Sequence, residues 1–169
     1  MIPRPARASI VIAALIAGSI GLSDGRGDAT PAVRAVVRPQ QVRAGDRITV
    51  EIAARGLRGA GAVAFHLVFD PSLLEPVPEG FTEGAFLRQG GASTSFLASP
   101  ASTGERIFVG IARLGASRGA RGSGPLCRLT FRALAPGTTS VLFDRASVTS
   151  PSGGPRATRF VPARLVIGR

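Results

Sequence analysis

The stretch Ala62-Val63-Ala64-Phe65-His66-Leu67-Val68-Phe69-Asp70-Pro71, at the centre of a run over residues 61–77, decides the fold. Its large apolar side chains Val63, Phe65, Leu67 and Phe69 fall on every second position, and in a strand successive side chains point to opposite faces. All four therefore share one face, which must be buried. Asp70-Pro71 ends the strand, because proline offers no amide hydrogen to a ladder and aspartate folds its carboxylate back onto nearby backbone.

Outward from this strand, the same two-residue spacing recurs in short segments divided by turn residues. Val33, Val36 and Val37 predict a first strand ending near Pro39. Ile48, Val50 and Ile52 alternate with Thr49, Glu51 and Ala53 as a second, half-buried strand. Residues 56–61 read as a glycine-rich turn. Residues 93–98 read as a short strand, and Ile107, Val109 and Ile111 as the inner face of the next. Residues 115–124 read as a loop before a strand over 126–134, in which Cys127, Leu129 and Phe131 alternate with arginines and threonine. Residues 139–149 form either a strand pair or one long bent strand, and residues 160–167 close the sheet. Residues 79–91 fit a surface crossing or a short helical turn equally well. With about nine strands, no amphipathic helix and no repeat of fixed period, the chain is all-β, a single β-sandwich.

Composition sets the outer limits. A chain of 169 residues, 44% hydrophobic, can bury one sizeable core. Its formal charge is +11, yet all 21 basic residues are arginine and asparagine is absent, a pattern of coding bias more than of selection for an anionic partner. The arginines are dispersed along the strands, without the stripe and interleaved aromatics that nucleic-acid binding uses, so no nucleic-acid partner is expected. Residues 1–29 read as a secretory signal peptide and linker. Arg4 and Arg7 precede an apolar run over residues 10–22, and cleavage is placed near residue 23 or 29. That run is short for a bilayer, so no stable span is expected after cleavage; an uncleaved anchor is the alternative. The implied location is secreted, periplasmic or extracellular. Cys127 has no partner for an internal disulfide and reads as a small buried hydrophobe. Arg26-Gly27-Asp28 matches an adhesion tripeptide, by chance at this length.

The motif Ala64-Phe65-x-Leu67-x-Phe69-Asp70-Pro71-Ser72-x-Leu74, followed by Gly124-Pro125-Leu126-Cys127-Arg128-Leu129-Thr130-Phe131-Arg132-Ala133 and Pro136-Gly137, resembles the cohesin domain. Phe69 stands where that family usually has tyrosine. The likeness spans residues 32–168 and implies a cohesin-like jelly-roll sandwich that recognises a protein partner of the dockerin type. Dockerins carry calcium loops of the form Asp-x-Asp-x-Asp-Gly, absent here, so the resemblance implies the receptor side of such a pair.

Motifs for catalysis fail on context. Residues 115–119 match a nucleophile elbow around Ser117, but the strand-turn-helix setting and a later histidine are missing. His66, the single histidine, cannot hold zinc alone. No carboxylate pair suggests glycoside hydrolysis, and no phosphate-cradling glycine motif occurs. No catalytic residue, metal or cofactor is expected. In cohesins the partner helix lies across one sheet face, and the resemblance assigns that face to the strands containing His66, Phe96, Phe108 and Leu142. The outward parity of Ala64, His66, Val68, Phe108, Gly110 and Ala112, with Phe96 added, gives a mildly apolar, nearly uncharged binding face. A shift of parity by one would exchange inside and outside, and His66 on its own reads more readily as an exposed or edge histidine without a role than as part of a binding surface. The alternative function is a carbohydrate-binding or wall-associated accessory module linked to polysaccharide breakdown. It is ranked lower because the chain has no Trp or Tyr for stacking on sugar rings, although Arg118 and Arg121 could meet an acidic polysaccharide. A bare structural spacer ranks third.

Overall fold

The computed structural model describes residues 30–169, so the leader expected over residues 1–29 lies outside the described residues. Twelve strands occur among them: β1 (Ala32–Arg38), β2 (Val42–Arg43), β3 (Arg47–Ala60), β4 (Ala62–Val68), β5 (Leu74–Pro76), β6 (Thr82–Glu83), β7 (Thr94–Pro100), β8 (Arg106–Arg113), β9 (Ala120–Ala133), β10 (Gly137–Thr149), β11 (Arg159–Val161) and β12 (Ala163–Gly168). They form two six-stranded sheets. One runs β11-β1-β3-β9-β5 with β6 also beside β9; the other runs β2-β12-β10-β4-β8-β7. Pairing is antiparallel except for β1 with β11 and β2 with β12, at the sheet edges.

The core lies between the sheets, as alternation requires of two half-buried layers. Val63, Phe65 and Leu67 of β4 and Ile107, Val109 and Ile111 of β8 face Ile48, Val50 and Ile52 of β3 and Leu129 and Phe131 of β9, all buried. Phe65 meets Phe143 edge-on at 5.2 Å, and Phe69 meets Phe131 at 5.1 Å. Each such side chain taken from water contributes about 1.5–3 kcal/mol. Asp70 closes β4 as its turn chemistry predicts: its Oδ1 accepts from the Ser72 amide at 2.9 Å and the Ser72 hydroxyl at 2.6 Å. Those two bonds hold its carboxyl below the ordinary 3.8. Cys127 sits in the core, where burial pushes its thiol up to about 12.

Three local expectations are corrected. About nine strands are expected and twelve are found: β2, β5, β6 and β11 have only two or three residues, too short to show periodicity, while residues 139–149, open to a strand pair, are one strand. Residues 56–61 are not a turn. Strand β3 continues through them to Ala60, with positive φ at Gly56 and Gly59 absorbing shifts of register against β9. Likewise the second half of the loop read over residues 115–124 belongs to β9. Residues 79–91 hold 3-10 turns around β6, at Pro78–Gly80 and within Phe86–Gly91, where the chain kinks at Gln89 and Gly90, and residues 139–149 lie in one long bent strand.

Candidate partner-binding face

The outer face of the second sheet is built by register. Across β10, β4, β8 and β7, the outward residues line up in rows: Leu142, Val68 and Arg106; Asp144, His66, Phe108 and Ser99; Ser147, Ala64, Gly110 and Leu97; then Thr149, Ala62, Ala112 and Ser95. The sequence thus places Ala64, His66, Val68, Phe108, Gly110 and Ala112 together on this face. Their neighbours Phe65, Leu67, Val109 and Ile111 point into the core, as the two-residue period demands.

Phe96 is corrected. It pairs with Ile111, whose side chain is buried, and so packs inward against the core. Strand β7 supplies Leu97 to the outer face instead, directly across from Gly110. The reason is phase: 93–98 carries Phe96, Leu97 and Ala98 in a row, so apolar character alone leaves its parity undetermined.

The face concentrates exposed apolar surface. Six large hydrophobic residues are well exposed among the described residues, and Leu97 (63%), Phe108 (40%), Leu142 (47%) and Val166 (59%) all lie here. Val166 joins through β12, paired with Thr138 on the outer side of β10. Gly110 stands mid-strand with open space where a Cβ would be, no heavy atom coming within 4 Å. With Ala64 beside it, it floors a depression of about 200 Å³ walled by His66, Leu97, Phe108 and Arg145.

Charged groups sit along one edge. Arg106 reaches Glu105 Oε1 at 3.0 Å and Asp144 Oδ2 at 3.7 Å. His66 stands edge-on to Phe108 at 4.5 Å; its Nδ1 is 3.8 Å from Asp144 Oδ2 and, shut away from solvent, has no hydrogen-bond partner. An apolar centre with a charged edge is the usual anatomy of a protein interface.

Arg145 is a residue the sequence does not disclose. Between Asp144 and Ser147, β10 carries one residue more than β4 opposite, a β-bulge. Arg145 there has φ of 46°, the only positive φ outside glycine among the described residues. This left-handed conformation costs a residue with a Cβ about 1–2 kcal/mol. The bulge turns Arg145 out onto this sheet face, the re-aiming that bulges commonly perform. Ser117, the failed nucleophile, lies in a separate cleft at the end of the sandwich, away from His66. Among the described residues no group of three or more His, Cys, Asp or Glu is placed to hold a metal, and no helix is long and apolar enough to cross a membrane.

The family model of the cohesin domain matches residues 33–157. No curated protein sequence matches the chain. Among solved structures, it is similar to a type II cohesin module from an adaptor scaffoldin of Acetivibrio cellulolyticus, with TM-score 0.71 and 11% identity over 83% of this chain and 98% of the other. A non-cellulosomal cohesin from the archaeon Archaeoglobus fulgidus gives 0.66 and 18% over 83% and 93%. A type I cohesin-dockerin complex from Clostridium thermocellum gives 0.66 and 17% over 83% and 100%.

Proposed function

The chain belongs to the cohesin family, and from that premise we propose that it is a non-catalytic module which binds a dockerin-type protein on the outer face of β10, β4, β8 and β7. The observation that carries this reading is Gly110: an outward glycine in the middle of a strand, over open space, among exposed Leu97, Phe108 and Leu142. Glycine weakens a strand, and one kept there often marks close approach by another backbone.

The dimensions suit a helix. Four strands about 4.8 Å apart and four outward rows about 7 Å apart give a platform of roughly 14 by 20 Å. A helix about 10–12 Å across, with three to four turns at roughly 5.4 Å each, covers it. Leu97, Phe108 and Leu142 supply the apolar contact, and Arg145, Arg106 and Asp144 the edge charges that fix orientation. Solved cohesins similar to this chain include complexes with dockerin, which supports the same class of partner.

The N-terminal segment, read as a signal peptide, supports an exported protein acting outside the cytoplasm. The second reading, sugar binding on this face, is disfavoured because Phe108 is its only phenyl ring and Trp and Tyr are absent from the chain. The test is capture of calcium-loaded type I and type II dockerin modules by the immobilised domain, repeated with a chelator. Binding that a chelator abolishes while the domain's own melting is unchanged supports the reading. Binding of cellulose or other neutral polysaccharide with no dockerin bound overturns it.

A further inference from the structure

At the end of the sandwich, beyond Ala62, Arg113 and Thr149 where β4 begins and β8 and β10 stop, a cleft of about 610 Å³ is lined by Arg118, Arg121, Arg156, Ser117, Ser150 and Ser152. Its three arginines are exposed, and none has a carboxylate within ion-pairing distance among the described residues. Arg88, Arg106 and Arg128, by contrast, each hold a glutamate. The imbalance follows from sequence, since residues 106–169 carry eleven arginines and a single acid, Asp144, which belongs to the sheet face.

The walls of this cleft are fixed before any ligand arrives. The Gln89 amide clasps Arg121 from both sides, donating to its carbonyl at 3.0 Å and accepting from its N–H at 3.1 Å. Arg113 holds that loop in turn through the carbonyls of Leu87 and Gln89. Opposite, Ser150 Oγ accepts from the Gly154 amide at 3.0 Å and stands 3.0 Å from Ser152 Oγ, locking the turn. Glycine makes the floor. A Cβ on Gly119 would overlap the Gly59 carbonyl carbon at 2.1 Å, and Gly59 itself has a φ of 70°, which favours glycine.

Guanidinium groups present paired donors matched to carboxylate and sulfate oxygens, and several without counterions in one concave site raise the local positive potential. No aromatic ring lines the cleft, so it has no platform for nucleic-acid bases. Nor does it hold an apolar pocket for the anchor side chain of a peptide. A sugar carrying an acidic group offers both what the arginines bind and the hydroxyls that Ser117, Ser150 and Ser152 can meet. We propose that this cleft binds an anionic sugar unit of a polysaccharide through its carboxylate or sulfate ester, leaving the sheet face free for a protein.

The test is calorimetric titration of the domain with oligogalacturonate, with a sulfated dextran oligosaccharide and with a neutral cello-oligosaccharide, in salt of about 0.15 M to screen distant charges. One or both acidic probes bind, and the arm that binds identifies the acidic group; the neutral probe does not. Arg118→Gln, Arg121→Gln and Arg156→Gln each weaken binding by about tenfold or more, the loss of one hydrogen bond to a charged group. Arg34→Gln, an exposed arginine on β1 that does not line the cleft, changes it by less than about twofold, as a surface change outside the site should. Gly110→Leu on the sheet face leaves sugar affinity unchanged, which separates failure of this proposal from failure of the partner-face reading. Absence of binding to both acidic probes overturns the proposal. So does equal weakening by Arg34→Gln, which would mean diffuse attraction without a site, or loss of sugar binding in Gly110→Leu.

Discussion

Adjacent residues Phe108 and Val109 should respond oppositely to the same substitution. Val109 is 4% exposed and faces the core, whereas Phe108 is 40% exposed and faces out against His66. Val109→Asp removes about 1.5–3 kcal/mol of apolar burial. It also leaves an unpaired carboxylate in the core, at a cost of several kcal/mol more. Together these approach the roughly 5–15 kcal/mol that holds a domain folded, so this variant should be unfolded or nearly so. Phe108→Asp loses about 1–2 kcal/mol from the covered part of the ring. The lost edge-on contact with His66 adds about 0.5–1.5 kcal/mol. That variant stays folded, with its urea midpoint lowered by about 1 M at an ordinary slope. Far-UV circular dichroism is the assay, because a chain without Trp or Tyr lacks their fluorescence signals. A folded Val109→Asp beside an unfolded Phe108→Asp would invert the faces and refute the assignment of inside and outside on which the proposed binding surface depends.

Three further outcomes follow from single contacts. Cys127 should resist thiol reagents at pH 8 until the protein unfolds; because burial raises its thiol from 9.0 to about 12, the unfolded chain alone releases that proton between those values, so stability falls as pH rises through the window. The Asp70 carboxyl, followed by NMR, should titrate below 3.8 and move up toward it in Ser72→Ala, and its contribution to stability, present above the unfolded value, is lost as pH falls through the folded one. Gly61→Ala should destabilise by about 1–3 kcal/mol, since its Cβ would stand 2.3 Å from the Pro151 nitrogen, while Gly110→Ala, opening on empty space, should leave the melting curve within about 0.5 kcal/mol of wild type.

Much of this architecture could be read directly from alternation. Val63 to Phe69, Ile107 to Ile111 and Cys127 to Phe131 each have one unmistakable apolar phase, and the structure buries those side chains. Alternation carries no information where phase is ambiguous or register slips. Phe96, Leu97 and Ala98 carry no phase, and the outward residue proved to be Leu97. Gly56 and Gly59 resemble turn formers yet serve as bulge residues in a strand that carries on to Ala60. Arg145 reaches the outer sheet face through an inserted residue whose backbone conformation normally calls for glycine, so composition gives no sign of it. The arginine cleft likewise depends on Gln89, thirty-two residues from Arg121 along the chain, and local spacing does not reveal such a clasp.

The most direct trial of the partner face is the affinity of calcium-loaded dockerin modules for the wild-type domain, for Gly110→Leu and for Leu97→Asp, with melting curves recorded alongside. Both substitutions leave the fold intact, because Gly110 opens on empty space and Leu97 is 63% exposed. The account predicts that each weakens a dockerin bound by the wild type by tenfold or about 1.4 kcal/mol at least. A folded Gly110→Leu that binds the same dockerin as tightly as the wild type would contradict it.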